Sequence, residues 1–455
     1  MIRSTKRRKV SEIRDEGSLD RISSLPDELL GHILSFLPTL SALQTSLLST
    51  RWRYLFTLTT SLSFDDQEYY ELSSHGNKTL NTGFERFVSG VLVLHRVTPI
   101  QKFSLKLKRD REYASSHLLL WISASILKGV RHLDLYIFYQ QISLPNCILS
   151  SQTLVSLEIH SVRHKVDLKV PSLVSLPSLR FLKLIQVTFL DAESVKRFCV
   201  GCSRLKELVL IDCGLGRDHV GISTLALEEL TVYFCRGHVE FDAPNLASLS
   251  YLCSWSDVDV DMTLLLKKSC SPSRVEIGFH SYEFHGPLAE YVLDLIRGAQ
   301  NARELILTFN ALKLLTRLDD TRIPTYSKLK SLHLDSCCCN TWKYVTSWLT
   351  KSPQLETIVF NEGIADTCRT EHKHEWRPSM ELAPFSSNVK TIEVHRFEGG
   401  KMELLLLNYL LENAGVLKRL ILYKCGTMTM EEELEVSKEL LMLPKTSTYC
   451  TIELK

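Results

Sequence analysis

Leu154-Val-Ser-Leu157-Glu-Ile159, Leu179-Arg-Phe-Leu182-Lys-Leu184 and Leu205-Lys-Glu-Leu208-Val-Leu210 spell one unit, Leu-x-x-Leu-x-Leu, three times in succession. Leu227-Glu-Glu-Leu230-Thr-Val232, Leu329-Lys-Ser-Leu332-His-Leu334 and Leu417-Lys-Arg-Leu420-Ile-Leu422 repeat it further along. Anchored on the central residue, Leu133, Leu157, Leu182, Leu208 and Leu230 succeed one another at intervals of 22–26 residues. Leu305, Leu332 and Ile358 continue at 26–27. Apolar residues at alternate positions are what a strand with one buried face requires. Many of the gaps hold a helix-like stretch such as Ala192-Glu-Ser-Val-Lys-Arg-Phe-Cys199. The segment around 235–300 is irregular, and 360–388 is a longer interruption.

A strand-then-helix period of this length suits either a leucine-rich solenoid, whose repeats run about 20–29 residues, or a doubly wound nucleotide-binding sheet. Central strands of a doubly wound sheet are covered on both faces and read as nearly continuous apolar runs. Here Lys, Glu, Ser, Thr or His often stands between the leucines, so one strand face is polar. Neither G-x-G-x-x-G nor a P-loop comes after any of these strands. The pattern therefore predicts a curved solenoid, with polar positions such as Glu158, Lys183 and Thr231 on its open strand face.

At 455 residues, 44% apolar and 23% charged, the chain has room for about three average domains and the composition of a soluble globular protein. With 54 basic and 52 acidic side chains the formal charge is only +2, so no global field steers it toward nucleic acid or an anionic membrane. The longest apolar runs, around 118–127 and 404–411, fall short of the roughly 18 residues a membrane span needs. Met1-Ile-Arg-Ser-Thr-Lys-Arg-Arg-Lys9 has no apolar stretch behind it and is not a secretory signal. The 13 cysteines then read as thiols of a reducing compartment, and the sequon at Asn77 carries no meaning. Residues 1–18 are expected to be a disordered basic tail. Within it Lys6-Arg-Arg-Lys9 is either a nuclear import signal or a solvated run, so the expected location is nuclear and/or cytoplasmic.

Residues 20–60 differ from the repeats. Leu25-Pro26-Asp27-Glu28 reads as a helix start, with Pro26 at the first helical position and two acids where the dipole favours them. Leu29, Leu30, Ile33, Leu34 and Leu37 recur at helical spacing until Pro38. A second short helix carries Leu40, Leu43, Leu47 and Leu48, and a third carries Trp52, Leu55 and Phe56. Three such helices make too small a core to stand alone, yet they place apolar residues on more than one side. Some of that surface must be covered by something outside the segment.

The string Leu19-Asp-Arg-Ile-Ser-Ser-Leu-Pro-Asp-Glu-Leu-Leu-Gly-His-Ile-Leu-Ser-Phe-Leu-Pro38, continuing to Leu48-Ser-Thr-Arg-Trp-Arg53, resembles the plant F-box motif. The chain beyond it is similar to plant leucine-rich-repeat F-box proteins, in Gly129-Val-Arg-His-Leu-Asp-Leu135, Leu176-Pro-Ser-Leu-Arg180 and Gly201-Cys-Ser-Arg-Leu-Lys-Glu-Leu208. Val389-Lys-Thr-Ile-Glu-Val394, the stretch from Met402 to Ala414, and Tyr449-Cys-Thr-Ile452 resemble the FBD region that closes many such proteins. The resemblance implies an α/β architecture: a three-helix F-box over 19–65, a joining segment and leucine-rich repeats over 66–365, and an FBD-type cap over 366–455. It implies a substrate-recognition subunit of an SCF-type cullin–RING ubiquitin ligase, without catalysis or cofactor of its own. The F-box would bind a Skp-type adaptor through Leu25, Pro26, Leu29, Ile33, Leu34, Leu37, Pro38, Leu43, Leu47 and Trp52. The repeats would bind a target protein. The sequence departs from the family in Thr39-Leu-Ser-Ala-Leu-Gln-Thr-Ser46, where relatives usually carry Thr-Lys-Asp-Ala-Val-Arg-Thr-Ser, and in Thr50, usually Lys. If the missing charges meet an acidic adaptor, their loss slows and weakens binding.

Two other functions remain open at this stage: a leucine-rich protein-binding scaffold with a degenerate F-box and no ligase role, and a hydrolase-like enzyme on an α/β fold. The second finds little chemistry. There is no G-x-S-x-G elbow and no H-E-x-x-H helix. Cys199-Val-Gly-Cys202 has zinc or redox spacing but no matching pair, and is expected to be two buried thiols. Cys368, Glu371, His372 and His374 lie in a charged insertion with too few spaced ligands for a structural zinc site. Cys337-Cys-Cys339 is expected to pack against a neighbouring repeat. Asp65-Asp66 and Glu431-Glu-Glu433 are expected to be exposed turn and helix faces.

Overall fold

The computed structural model describes residues 21–22, 24–73, 83–97, 99–139, 144–163, 165–256, 259–260, 262–280, 286–335, 337, 341–364 and 388–455. The N-terminal basic tail, the Asn77 sequon, Cys338, Cys339 and the insertion carrying Cys368, Glu371, His372 and His374 lie outside them.

Among the described residues fifteen parallel strands, from Ser61–Asp65 to Thr451–Leu454, hydrogen-bond in chain order, each to the one before it and the one after it. A doubly wound sheet reverses its strand order at a switch point; this one does not, and its first and last strands are its two edges. The architecture is an open solenoid. One register column crosses it: Leu62, Phe103, Leu133, Leu157, Leu182, Leu208, Leu230, Leu249, Val275, Leu305, Leu332, Ile358, Ile392, Leu420 and Ile452. Every member but the edge residue Ile452 is at most 2% exposed. Eight of these are the anchors read from the sequence. Leu249 and Val275 lie inside the irregular segment, which keeps the ladder and changes its other layer.

Most repeats return along a helix, among them Ser115–Leu127, Ala192–Gly201, Gly286–Gly298, Trp342–Lys351 and Lys401–Asn413. Between 166 and 266 the return is instead mainly a second parallel sheet of Val166–Leu168, Val187–Phe189, Gly214–Ser223, Arg236–Asp242 and Met262–Leu266. The chain turns into this layer through left-handed residues: Gln186 (φ 57°), Asp212 (φ 50°) and Phe234 (φ 55°) each stand four residues past their anchor. Left-handed conformations are costly for non-glycine residues. Here each backbone N–H donates to a carbonyl of the next strand, those of Ile211, Tyr233 and Leu252, at 2.8–2.9 Å. At Gly237 (φ 131°) the carbonyl of Gly216 lies 2.7 Å from where a Cβ would stand, so only glycine fits. Cys199, Cys202, Cys213 and Cys235 are buried free thiols in these layers. Burial pushes the Cys199 thiol up to about 12.

The opening helices are not a separate bead. Asp27–Leu34 and Thr39–Gln44 are α-helical, and Thr45–Leu47 and Trp52–Leu58 are 3₁₀ turns. Pro26 sits one place earlier than its sequence suggests. Its carbonyl accepts the first helical bond from Leu30 N–H (3.0 Å), which makes it the cap and not the first helical residue. Pro38 caps the second helix, whereas the first ends at Leu34, short of the proline that was expected to stop it. Gly31 lets that first helix lie on Leu58, whose Cβ is 2.8 Å from any side chain added there. The chain then runs without a linker from Leu58 into the Ser61–Asp65 strand. Ser35 Oγ accepts from Thr60 N–H (2.8 Å), Thr39 Oγ1 accepts from Ser63 N–H (2.7 Å), and Gln101 N–H donates to the Thr60 carbonyl (2.8 Å). Asp66, expected on an exposed turn, is fully buried: its carboxylate accepts Lys108 N–H (2.8 Å) and Tyr113 O–H (3.1 Å), locking the first two strands together.

His95 completes this junction. Its Nε2–H donates to the Thr59 carbonyl at 2.7 Å, while Nδ1 is buried without a partner. Burial holds the imidazole below its ordinary range, and the Lys128 ammonium beside it adds to the effect. A histidine kept neutral in the fold contributes stability that is complete above its unfolded pKa of about 6.5 and fades as pH falls toward the folded value. The denaturation midpoint is therefore expected to fall between pH 7.5 and pH 5.5. In His95→Gln, which keeps an N–H donor for Thr59, the fall should be smaller. Equal slopes in the two proteins would contradict this.

Candidate adaptor interface and strand face

The first helix carries two apolar pairs, Leu29-Leu30 and Ile33-Leu34, at positions four apart. On a helix the members of each pair point about 100° apart, so the four spread over about 140° of its surface, wider than this small core covers. Leu30 and Leu34 go inward with Ala42, Trp52, Leu55 and Phe56. Leu29 and Ile33 go outward, joined by Phe36 (77% exposed) and Leu37. From the turn after the second helix, Leu47 (87%) and Leu48 project into solvent, and Tyr54 is exposed on the next turn.

Two of the ten expected contact residues need correction. Leu34 is 2% exposed and Trp52 8% exposed. Both fill the small core, because the 3₁₀ segment folds back over the first helix and packs its large side chains against it. Of the rest, Pro26, Leu29, Ile33, Leu37 and Leu47 are exposed, and Leu25, Pro38 and Leu43 are half-buried. Sequence reading missed Phe36, Leu48 and Tyr54 as surface residues. The signal for Phe36 was its position three residues after Ile33, on the outward side. Arg51 braces the surface: its guanidinium donates to Asp27 Oδ1 (2.8 Å) and to the Leu25 carbonyl, tying the third segment to the start of the first helix. The second helix carries no charged side chain.

The open strand face is built from residues one before, one after and three after each anchor. Glu158 and Lys183 lie in register on neighbouring strands, with Val209 and Thr231 on the next two. Half-buried Phe181, Ile185, Val209, Ile211 and Tyr233 make the middle of this face apolar. Toward the N-terminal side Tyr136 stacks on His160 with centroids 4.2 Å apart, and His160 Nε2 lies 3.1 Å from Glu158 Oε2. Burial, with the Glu158 charge, pushes the Tyr136 phenol up to about 12. Burial holds His160 below its ordinary range despite that carboxylate. A second such stack, His395 on Tyr423 at 4.4 Å, stands near the C-terminal edge.

Among the described residues no three His, Cys, Asp or Glu side chains converge as metal ligands. Among them, too, no helix is long and apolar enough to cross a membrane.

Comparison with known proteins agrees with this architecture. The F-box domain profile matches residues 22–61, the LRR-repeat profile of the FBD-associated F-box protein At5g56370 matches 118–286, and the FBD profile matches 384–422. From Arabidopsis thaliana, F-box/LRR-repeat protein At4g14103 is 32% identical over 76% of this chain and 92% of its own length. Putative F-box/LRR-repeat protein At3g58880 is 30% identical over 86% and 89%. F-box/LRR-repeat protein At3g59200 is 29% identical over 96% and 88%. The chain belongs to the plant F-box/LRR-repeat protein family.

Outward and inward positions on the first helix should separate cleanly in stability. Phe36→Ser is expected to change the free energy of unfolding by no more than about 0.5 kcal/mol, as for exposed sites. Leu34→Ala should cost about 2–5 kcal/mol. Urea denaturation of the two variants checks this, and a large cost at Phe36 would mean that it is packed.

Proposed function

We propose that this protein is the substrate-recognition subunit of an SCF-type cullin–RING ubiquitin ligase: the F-box docks on a Skp-type adaptor, and the repeats hold a target protein. The observation that carries the reading is the apolar surface of Leu29, Ile33, Phe36, Leu37, Leu47 and Leu48, exposed on a segment bolted to a long recognition scaffold. Monomeric proteins rarely leave large apolar patches bare, and here these six large apolar side chains lie exposed within one short stretch of chain. Burying several of these side chains at about 1.5–3 kcal/mol each is enough to offset the ordering costs of association. Pro26, half-buried Leu25, Pro38 and Leu43 form its margin, while Leu34 and Trp52 support it from beneath.

The chain's contribution is then geometric and not catalytic. A target held on the strand face would be presented at a fixed distance from an activated ubiquitin thioester carried by partner subunits, which raises its effective concentration there. Rigidity helps, because a direct join between F-box and ladder loses none of that advantage to linker motion. We assign this work to the nucleus and/or cytoplasm, with Lys6-Arg-Arg-Lys9 as the segment that decides the balance. The rival, a scaffold with a degenerate F-box, draws support from the uncharged second helix.

Titrating the full chain onto an immobilised plant Skp-type adaptor distinguishes the two. The intact protein should bind, and Leu29→Ser combined with Phe36→Ser and Leu48→Ser should weaken binding at least a hundredfold with an unchanged denaturation midpoint. An intact, folded chain that captures no adaptor even at low salt would establish the scaffold reading instead.

A further inference from the structure

The residue immediately before each strand occupies one rim of the solenoid. Over the five strands anchored by Leu305, Leu332, Ile358, Ile392 and Leu420 these residues are Arg303, Lys330, Glu356, Lys390 and Lys418, and Arg419 opens the last of the five. Their spacing is imposed by the ladder. Lys330 N–H donates to the Arg303 carbonyl (2.8 Å), Glu356 N–H to Lys330 (2.9 Å), Lys390 N–H to Glu356 (2.8 Å) and Lys418 N–H to Lys390 (2.8 Å). At about 4.8 Å per strand the row is roughly 19 Å long.

Its charge is not compensated from within. Lys390 Nζ pairs with Glu356 Oε1 at 2.8 Å. Arg303, Lys330, Lys418 and Arg419 are exposed and make no ion pair among the described residues. Lys390, then Lys330 and Lys418, hold the Glu356 carboxyl below its usual range, so these side chains share one field. The nearby Glu304 is already engaged by Arg274 (3.4 Å) and His333 (3.6 Å). On the other side of Arg303 the row breaks, since the preceding strands are entered through Ser273, Ala247 and Glu228, the last paired with Lys206 at 2.6 Å. A chain of net charge +2 thus concentrates cations along one edge that begins in the repeats and continues into the segment matched by the FBD profile.

We propose that this rim is a docking site for an acidic polypeptide segment of the target, laid across the starts of five strands. Resting on the reading that the repeats hold a target, it gives the FBD region a share in recognition. A carboxylate-bearing segment matches the row in sign, and an extended one of about six residues matches its length. Attraction of this kind raises the association rate more than it slows dissociation, and it weakens as salt shortens the Debye length.

The test uses the purified full chain and a fluorescein-labelled peptide of six Glu-Ser repeats, read by anisotropy at low salt. A peptide of six Gln-Ser repeats is the neutral control. The acidic peptide should bind and the neutral one should not. Lys330→Glu combined with Lys418→Glu should weaken binding at least tenfold, while Lys196→Glu combined with Lys268→Glu, the same charge change at exposed sites elsewhere, should alter it less than twofold. Equal losses in both double variants, or none in the rim variant, would overturn the proposal. So would tighter, rim-dependent binding of duplex DNA or of phosphatidylserine vesicles. Adaptor capture measured on the same preparations keeps the outcomes apart: its failure defeats the ligase reading and leaves the rim result standing.

Discussion

The structure depends on one column of buried side chains. From Leu62 to Ile452 each strand contributes one apolar residue in register with its neighbours, and all but the last are sealed from water. No repeat can bury its own apolar face, and stacking on its neighbours is what removes that face from solvent. The column therefore fixes the strand register, and the register in turn fixes which side chains reach the open face and which line the rim. Positions between the anchors, such as Glu158, Lys183 and Thr231, lie outside this column and make up the open strand face.

Continuity at the N-terminal end matters as much. The first strand of the column comes directly after the F-box, and hydroxyls of Ser35 and Thr39 on the F-box side accept hydrogen bonds from backbone N–H groups at its start. Buried Asp66 and His95 fasten the same corner through Lys108, Tyr113 and Thr59. At the other end the segment matched by the FBD profile is no separate module: Ile392 and Leu420 continue the column in the same parallel register. F-box, repeats and FBD thus form one ladder, with apolar surface left bare at its start and cations gathered toward its end.

Much of this was legible in the residues. Leu-x-x-Leu-x-Leu identified eight anchors that fall in the observed column, and the polar intervening positions distinguished a solenoid from a doubly wound sheet. The two anchors at Leu249 and Val275 were hidden because the local period contracts to 19 residues where the return layer is a strand and then expands to 30 where a helix resumes. Composition does not announce the second sheet either, since its corners are made by Gln186, Asp212 and Phe234 and not by glycine. At the F-box, periodicity showed that too many apolar residues share one helix, but not which would face out. Leu29 and Leu30, adjacent and chemically identical, part company only when Trp52 and Phe56 close over one of them. Asp66 looked like a surface acid because its partners, Lys108 and Tyr113, lie more than forty residues away.

Hydrogen exchange across the join between the helical segment and the ladder reads the central constraint most directly. If the column begins at Leu62, those amides of the Ser61–Asp65 edge strand that point toward its neighbour Lys102–Leu107 will be strongly protected, as in the interior Leu208 and Leu230 strands, in the free protein. Exchange of that first strand at the rate of an unstructured chain, beside slow exchange in the interior, would mean that the F-box hangs on a flexible tether, and the account of a single continuous ladder would be wrong.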